Sequence, residues 1–180
     1  MLFGLLVFVA IVMVVFSLAA TYNHLVAAAE RTTRAWNNLD AVLRQRHDEI
    51  PKLIDMCEPH LRSARAAFDG VLEARAAVLG ARQTRDAEAL GQAERGLRVE
   101  LTALIAAAAS HPELAASPAF GLLRQSSATL DHEIAERQDL YNDAVLQYNA
   151  SISRIPGNIV ATLSGFSPLR PLNVDGAGTG

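Results

Sequence analysis

Between Met1 and Ala20 the chain carries no charged side chain, and the run Leu5-Leu6-Val7-Phe8-Val9-Ala10-Ile11-Val12-Met13-Val14-Val15-Phe16 is unbroken by a polar residue. A helix of a water-soluble domain keeps a polar face for solvent, and this stretch has none to offer. Wound at about 1.5 Å per residue, twenty residues span roughly 30 Å, the thickness of a hydrocarbon core. The lipid bilayer is therefore the first expected partner, with residues 1–20 as a transmembrane helix. Ser17-Leu18-Ala19, just before Ala20, also has the small-x-small form of a signal-peptide cleavage site. Against cleavage, no Lys or Arg precedes the run, and the run exceeds the roughly 7–15 residues of a signal h-region. A retained anchor is the preferred reading. Arg31 and Arg34 follow the span, and Arg44 and Arg46 come soon after. By the positive-inside rule the body lies in the cytoplasm and the short N-terminus outside.

The remaining chain reads as all-α. Of the 180 residues, 51% are hydrophobic but only 6% aromatic, so alanine and small aliphatics carry the apolar share, as in helices. Leu25, Ala29, Thr32, Trp36, Leu39, Leu43, Arg46, Ile50, Leu53 and Cys57 recur at spacings of three and four, one helix face. No Gly or Pro separates Phe16 from Ile50, which predicts that the membrane helix enters the body without a flexible linker. Pro51 and Pro59 each either kink that helix or open a new one. The stripe resumes through Leu61, Phe68, Val71 and Leu72 to about Leu79, and Gly80 to Arg85 reads as a polar break. Asp86 is a plausible cap for a helix through Leu90, Leu97, Leu101, Leu104 and Ile105 to Ala106–Ala109. Ser110-His111-Pro112 and Ser117-Pro118 end it. The last long helix is expected over about Ala119 to Ile155, with Leu123, Leu130, Ile134, Tyr141, Val145, Tyr148, Ile152 and Ile155 along one face and Pro156-Gly157 as its stop. Short breaks favour antiparallel neighbours, hence an up-and-down bundle over residues 21–166. Ile159 to Phe166 is an apolar piece able to pack back, and residues 167–180, with little to bury, are expected to form a disordered tail.

Several chemistries are excluded by residue type and spacing. The single cysteine rules out a disulfide framework, a haem-attaching CxxCH and an all-cysteine metal cage. Sixteen basic against nineteen acidic residues give a net charge of −3, too balanced for nucleic acid as a partner. No Glu-x-x-His or HExxH occurs among the five histidines, nor does a P-loop, GxGxxG or GxSxG. Cys57 and His60 are one turn apart, but Pro59 intervenes and nothing completes a four-ligand site, so a buried thiol beside a surface imidazole is preferred. No catalytic residue, cofactor or metal is assigned, and an enzymatic role is not expected.

Polar residues inside the stripes are the positive signals. Tyr141-Asn142 recurs seven residues on as Tyr148-Asn149, two helical turns, and Tyr22-Asn23 stands near the other end of the chain. The tyrosines then share one face and can bury their rings if the hydroxyls find partners. A ligand groove is one reading; a polar ladder fixing helix register is preferred. Arg46 and Arg137 occupy positions that ought to be apolar, and a guanidinium there requires a carboxylate. Asp131, Glu133 and Glu136 are candidates to meet Arg46, within the chain or across a subunit contact.

Taken in order, several segments resemble the bacterial LemA family: the anchor with Tyr22-Asn23-His24-Leu25-Val26, then Ala35-Trp36-Asn37-Asn38-Leu39-Asp40, then Arg46-His47-Asp48 with Ile50-Pro51-Lys52-Leu53-Ile54. His111-Pro112-Glu113-Leu114, Tyr141-Asn142-Asp143-Ala144-Val145 with Tyr148-Asn149, and Ile155-Pro156 to Gly165-Phe166 complete the set, which covers about residues 1–168. The resemblance implies an outward N-terminus, one helix through the bacterial inner membrane and a cytoplasmic bundle of long antiparallel helices, with no established reaction. Where the family tends to have Glu-x-Tyr-Pro this chain has Ala109-Ser110-His111-Pro112, and Gln138 and Gln45 replace arginines. As structural or interaction candidates the motifs single out Tyr22, Asn23, Trp36, Asp40, Arg46, Asp48, Pro51, Tyr141, Asn142, Tyr148 and Asn149.

The expected role is a membrane-anchored scaffold that self-associates or organises the bilayer. Ala27–Ala29 and Ala106–Ala109 would allow close helix approach between copies of a homo-oligomer. The alternative is a regulatory or adaptor subunit whose partner is another membrane protein, such as a protease or envelope-stress component.

Overall fold

A computed structural model describes residues 2–57, 65–84, 87–110 and 112–174, and every regular element among them is helical. The helices are α1 (Leu2–Cys57), α2 (Arg65–Thr84), α3 (Ala87–Ala109), α4 (Pro112–Ala115), α5 (Pro118–Ser153) and α6 (Gly157–Ser164). Contacts divide the chain into two compact units, Met1–Trp36 with Tyr141–Pro171, and Asn37–Leu140 with Leu172–Gly180. Both α1 and α5 contribute to each unit.

In the first unit, α1 passes from the apolar run into the folded part with no break, as its lack of Gly and Pro requires. Leu25, Ala28, Tyr148 and Ile152 form a small core that is completed by Val160 and Ala161 of α6. The α1 and α5 segments run antiparallel: the Thr32 hydroxyl, shared with Ala28 O at 3.1 Å, approaches Ala144 O at 3.4 Å, and Trp36 meets Tyr141 one turn further on. After α5 ends at Ser153 the chain turns through Arg154-Ile155-Pro156, with a cis Ile155-Pro156 bond, and α6 folds back onto this core. Gly157 allows the close return, because a Cβ there would overlap the Ser151 carbonyl oxygen. Gly165, at φ 76°, closes α6 in the left-handed conformation that glycine adopts without strain, and Phe166 N–H donates to Ala161 O at 3.0 Å.

In the second unit, α2 and α3 pack on each other, and Gly70 of α2 lies so close to α3 that a Cβ would come within 2.5 Å of Glu100 Oε2. Leu39, Val42, Leu43 and Ile50 of α1 are buried here, with Val71 and Val78 of α2, Leu90, Leu97, Leu101 and Leu104 of α3, and Leu123, Leu130 and Ile134 of α5. Ser117 starts α5 as an N-cap, its Oγ accepting from Phe120 N–H at 3.2 Å, with Pro118 at the first helical position where a missing N–H matters least.

Four expectations need correction. Of the two alternatives for Pro51, the opening of a new helix is overturned, since α1 continues through it to Cys57. A proline inside a helix leaves the carbonyl four residues back without its donor, and that carbonyl, His47 O, accepts instead from Arg75 Nε at 3.1 Å. Gly80 does not break α2, which runs on to Thr84; a single exposed glycine weakens a helix by only about 1 kcal/mol relative to alanine. On α2, Phe68, Val71 and Val78 are buried, while Leu72 and Leu79 are exposed, and Ile155 lies beyond α5 and is exposed. The expected tail is ordered over residues 167–174, where Leu172 and Val174 are among the most buried side chains. Backbone partners hold it: Val174 N–H donates to Gln138 Oε1 at 2.7 Å, Arg95 donates to Asn173 O, and Gly91 admits that carbonyl where a Cβ would sit 2.6 Å from it. The expectations placed on Pro59, His60, Leu61, Asp86 and His111, on the side chains of Leu53 and Cys57, and on residues 175–180 fall outside the described residues.

Candidate functional site

The largest fully buried side chain among the described residues is that of Arg46, 1% exposed on α1. Its Nη2 donates to Glu94 of α3, itself 1% exposed, and its Nη1 donates to Asp131 Oδ1 of α5 at 3.1 Å. Asp131 is thus the partner found among the three anticipated, and the pairing is internal to the chain. Glu94 was missed, although its signal is legible: it lies four residues after Leu90 and three before Leu97, in the middle of the α3 stripe. Burial raises the Glu94 carboxyl above its ordinary range, and the adjacent Arg46 charge opposes that shift without cancelling it. Around this pair, Asp40 accepts from Arg44 Nε at 2.7 Å and from Arg82 of α2, while Glu49 accepts from Gln45 at 2.8 Å and from Ser126 at 2.8 Å. Those two hydrogen bonds hold Glu49 below the usual carboxylate range. His47 is buried as well; desolvation, then the nearby Arg75 charge, lowers its pKa, and its Nδ1 and Arg46 Nε are buried without a hydrogen-bond partner. Asp48 is exposed.

A different arrangement occupies the first unit. Tyr141 and Tyr148 are both buried, and burial raises both phenol pKa values. Tyr141 Oη donates to Arg170 O at 3.2 Å and Tyr148 Oη to Ser167 O at 3.1 Å. Between them Asn149 imitates a strand neighbour: Nδ2 donates to Leu169 O at 2.8 Å and Oδ1 accepts from Leu169 N–H at 3.0 Å. The face that could have been a ligand groove is therefore filled by the chain's own residues 167–170. Trp36 packs edge-on to Tyr141, ring centroids 5.3 Å apart. Asn142 is half-buried and hydrogen-bonded or otherwise paired, and Asn23 is exposed.

Tyr22 stays open. Its ring tilts against Phe166 at 6.1 Å, and the two border a groove of about 460 Å³ floored by Val26 and Ala29, with Glu30 and Arg34 also lining it. Arg137 is half-buried on α5.

The LemA family model matches residues 35–178. The chain belongs to the LemA family. No curated protein matches it. The matched residues take in Trp36, Asp40, Arg46, Asp48, Pro51 and both tyrosines of the clasp, while the apolar run and Tyr22-Asn23 precede them. Two departures from the LemA pattern have structural uses here: Gln138 receives the Val174 amide, and Gln45 donates to Glu49. The Arg46–Glu94 pair is sealed from any solute, and the tyrosine hydroxyls of the clasp are occupied by main-chain carbonyls.

Proposed function

We propose that this LemA-family protein is a non-enzymatic scaffold anchored in the bacterial inner membrane, where it self-associates or organises the adjacent bilayer. The observation that carries the reading is the exposure of the apolar run. Thirteen large apolar side chains between Leu2 and Phe16 are exposed on α1, and none of that hydrophobic window is buried inside the protein. Each such side chain gains about 1.5–3 kcal/mol on leaving water, so the segment demands an apolar environment that the described residues do not supply. Because α1 continues unbroken into the folded part, an anchored α1 fixes the first unit directly at the membrane. Arg31 and Arg34, both exposed on the side of the span away from residue 2, favour a cytoplasmic body.

The second reading is an adaptor for another membrane protein, favoured by the Tyr22–Phe166 groove, whose apolar floor begins just beyond the span. Extraction in mild detergent followed by light scattering separates the two. The scaffold predicts a homo-assembly of discrete or very large mass; a monomer that copurifies with one other protein supports the adaptor. Purification with a stoichiometric metal or cofactor overturns both.

A further inference from the structure

We infer that the outer face of α6 is a second membrane contact, an interfacial surface that lies against lipid beside the anchor; this rests on the anchored reading of α1. Helix α6 has two unlike sides. Val160 and Ala161 are 6% and 5% exposed in the core of the first unit, whereas Ile155, Ile159 and Leu163, spaced four residues apart, are 80%, 50% and 80% exposed. Residues a helical turn apart lie on one side, so Ile159 and Leu163 form a continuous apolar edge that Ile155 extends from the preceding turn. From Gly157 to Ser164 there is no charged residue. Elsewhere the exposed aliphatics, such as Leu122, Leu140 and Leu146, stand on helices with charged neighbours, and isolated exposed leucines are ordinary. An uncharged helix exposing an aliphatic edge is not ordinary, and it marks a contact surface.

Position selects the occupant. The core that holds α6 consists of Leu25 and Ala28 of α1 with Tyr148 and Ile152, and Leu18, inside the uncharged run, packs against the same core. Leu18 and Leu25 are seven residues apart on one helix, about 10 Å of rise, which is less than the depth of a headgroup region together with the upper acyl chains. The α6 edge is thus at the level where the span leaves the hydrocarbon. The polar residues of α6 are Asn158, Thr162 and Ser164, neutral groups compatible with the headgroup layer, and Thr162 Oγ1 is already satisfied by Asn158 O at 2.8 Å. Tyr22, at the same level and against Phe166, fits the interfacial belt in which tyrosines gather.

The test is nitroxide accessibility in the full-length protein. In a Cys57→Ser background, Leu163→Cys, Ile159→Cys, Val12→Cys and Leu146→Cys are made singly, spin-labelled and reconstituted into vesicles of phosphatidylethanolamine and phosphatidylglycerol. All four positions are exposed, so the substitutions leave the core intact. The expected result is a collision ratio of oxygen to a water-soluble nickel chelate several-fold higher at Leu163 and Ile159 than at Leu146, approaching that at Val12. Val12 in lipid with Leu163 and Ile159 open to the nickel chelate overturns the inference and leaves the anchor standing. Labels at 159 and 163 inaccessible to both probes also overturn it, since a second copy or a partner protein then covers the edge. Val12 open to the chelate removes the anchored reading itself, and this inference with it.

Discussion

The two units bury polar groups by opposite means. The first uses neutral donors: two tyrosine hydroxyls and one asparagine amide grip the main chain of residues 167–170. The second buries charge, with Arg46 and Glu94 sealed against each other and Asp131 completing the guanidinium's partners. A neutral hydrogen bond contributes about 0.5–1.5 kcal/mol net and its loss is tolerable. A buried ion pair adds little net stability while intact, but breaking it strands a charge. The lesson is that similar-looking polar positions in helical stripes differ most in what happens when a partner is removed.

The largest expected effect follows directly. Glu94→Leu leaves Arg46 buried with only the half-exposed Asp131, and unfolding by urea should show a loss of about 3–5 kcal/mol. Combining it with Arg46→Met removes the stranded charge and should recover most of that loss. A double variant no more stable than Glu94→Leu alone would mean that the pair is not the source of the cost. Next come the two glycines that admit a returning segment. Gly157→Ala in the first unit drives a Cβ into the Ser151 carbonyl within a tight turn and should lower stability by about 1–3 kcal/mol. Gly91→Ala in the second brings a Cβ to 2.6 Å from the Asn173 carbonyl oxygen, a milder overlap than that with the Ser151 carbonyl oxygen, and should cost less. Thermal melts compare them, and equal costs would show that residues 172–174 are held as firmly as α6.

Tyr148→Phe keeps the ring and removes only the bond to Ser167 O, so a loss of about 0.5–1.5 kcal/mol is expected in the same melts. A loss as large as that of Glu94→Leu would erase the contrast between the units. The smallest effect is a pH slope. His47, packed near Arg75 and Arg82 of α2 and beside Asp48 on α1, has a folded pKa below its ordinary 6.5. The unfolded chain therefore binds the proton first, and the neutral-His contribution to stability is complete above pH 6.5 and declines as pH falls through the window down to the folded value. Glu94, raised above 4.5, acts in the opposite sense, favouring the folded state as pH falls toward 4.5. His47→Gln should make stability fall less between pH 7 and pH 5 than in the natural protein; an unchanged slope would show that His47 is not the group responsible.

Much of this architecture is readable from residue order. The spacing of Leu25, Leu39, Leu43, Arg46 and Ile50 marks the buried face of α1, and Pro118 and Pro156-Gly157 mark the two limits of α5 because proline and glycine restrict or free the backbone locally. Arg46 betrays itself by sitting where an aliphatic belongs. Two of the misreadings share one cause, which is that they depend on partners distant in the chain. Pro51 reads as a kink or the start of a new helix until Arg75 is seen to take the His47 carbonyl. Residues 167–174 read as a tail because their hold on α3 and α5 comes through main-chain groups, which carry no signature in residue type.

The chain's order of residues was enough to determine that one end is too apolar for water, that the rest winds into amphipathic helices and that an arginine is buried among them, since each follows from local periodicity and transfer free energy. Only the folded arrangement decided that Glu94 completes the arginine's partners, that the Tyr-Asn face closes on the chain's own backbone and that α6 leaves an aliphatic edge uncovered. Those outcomes depend on which surfaces meet across long separations in sequence, and local pattern holds no record of that.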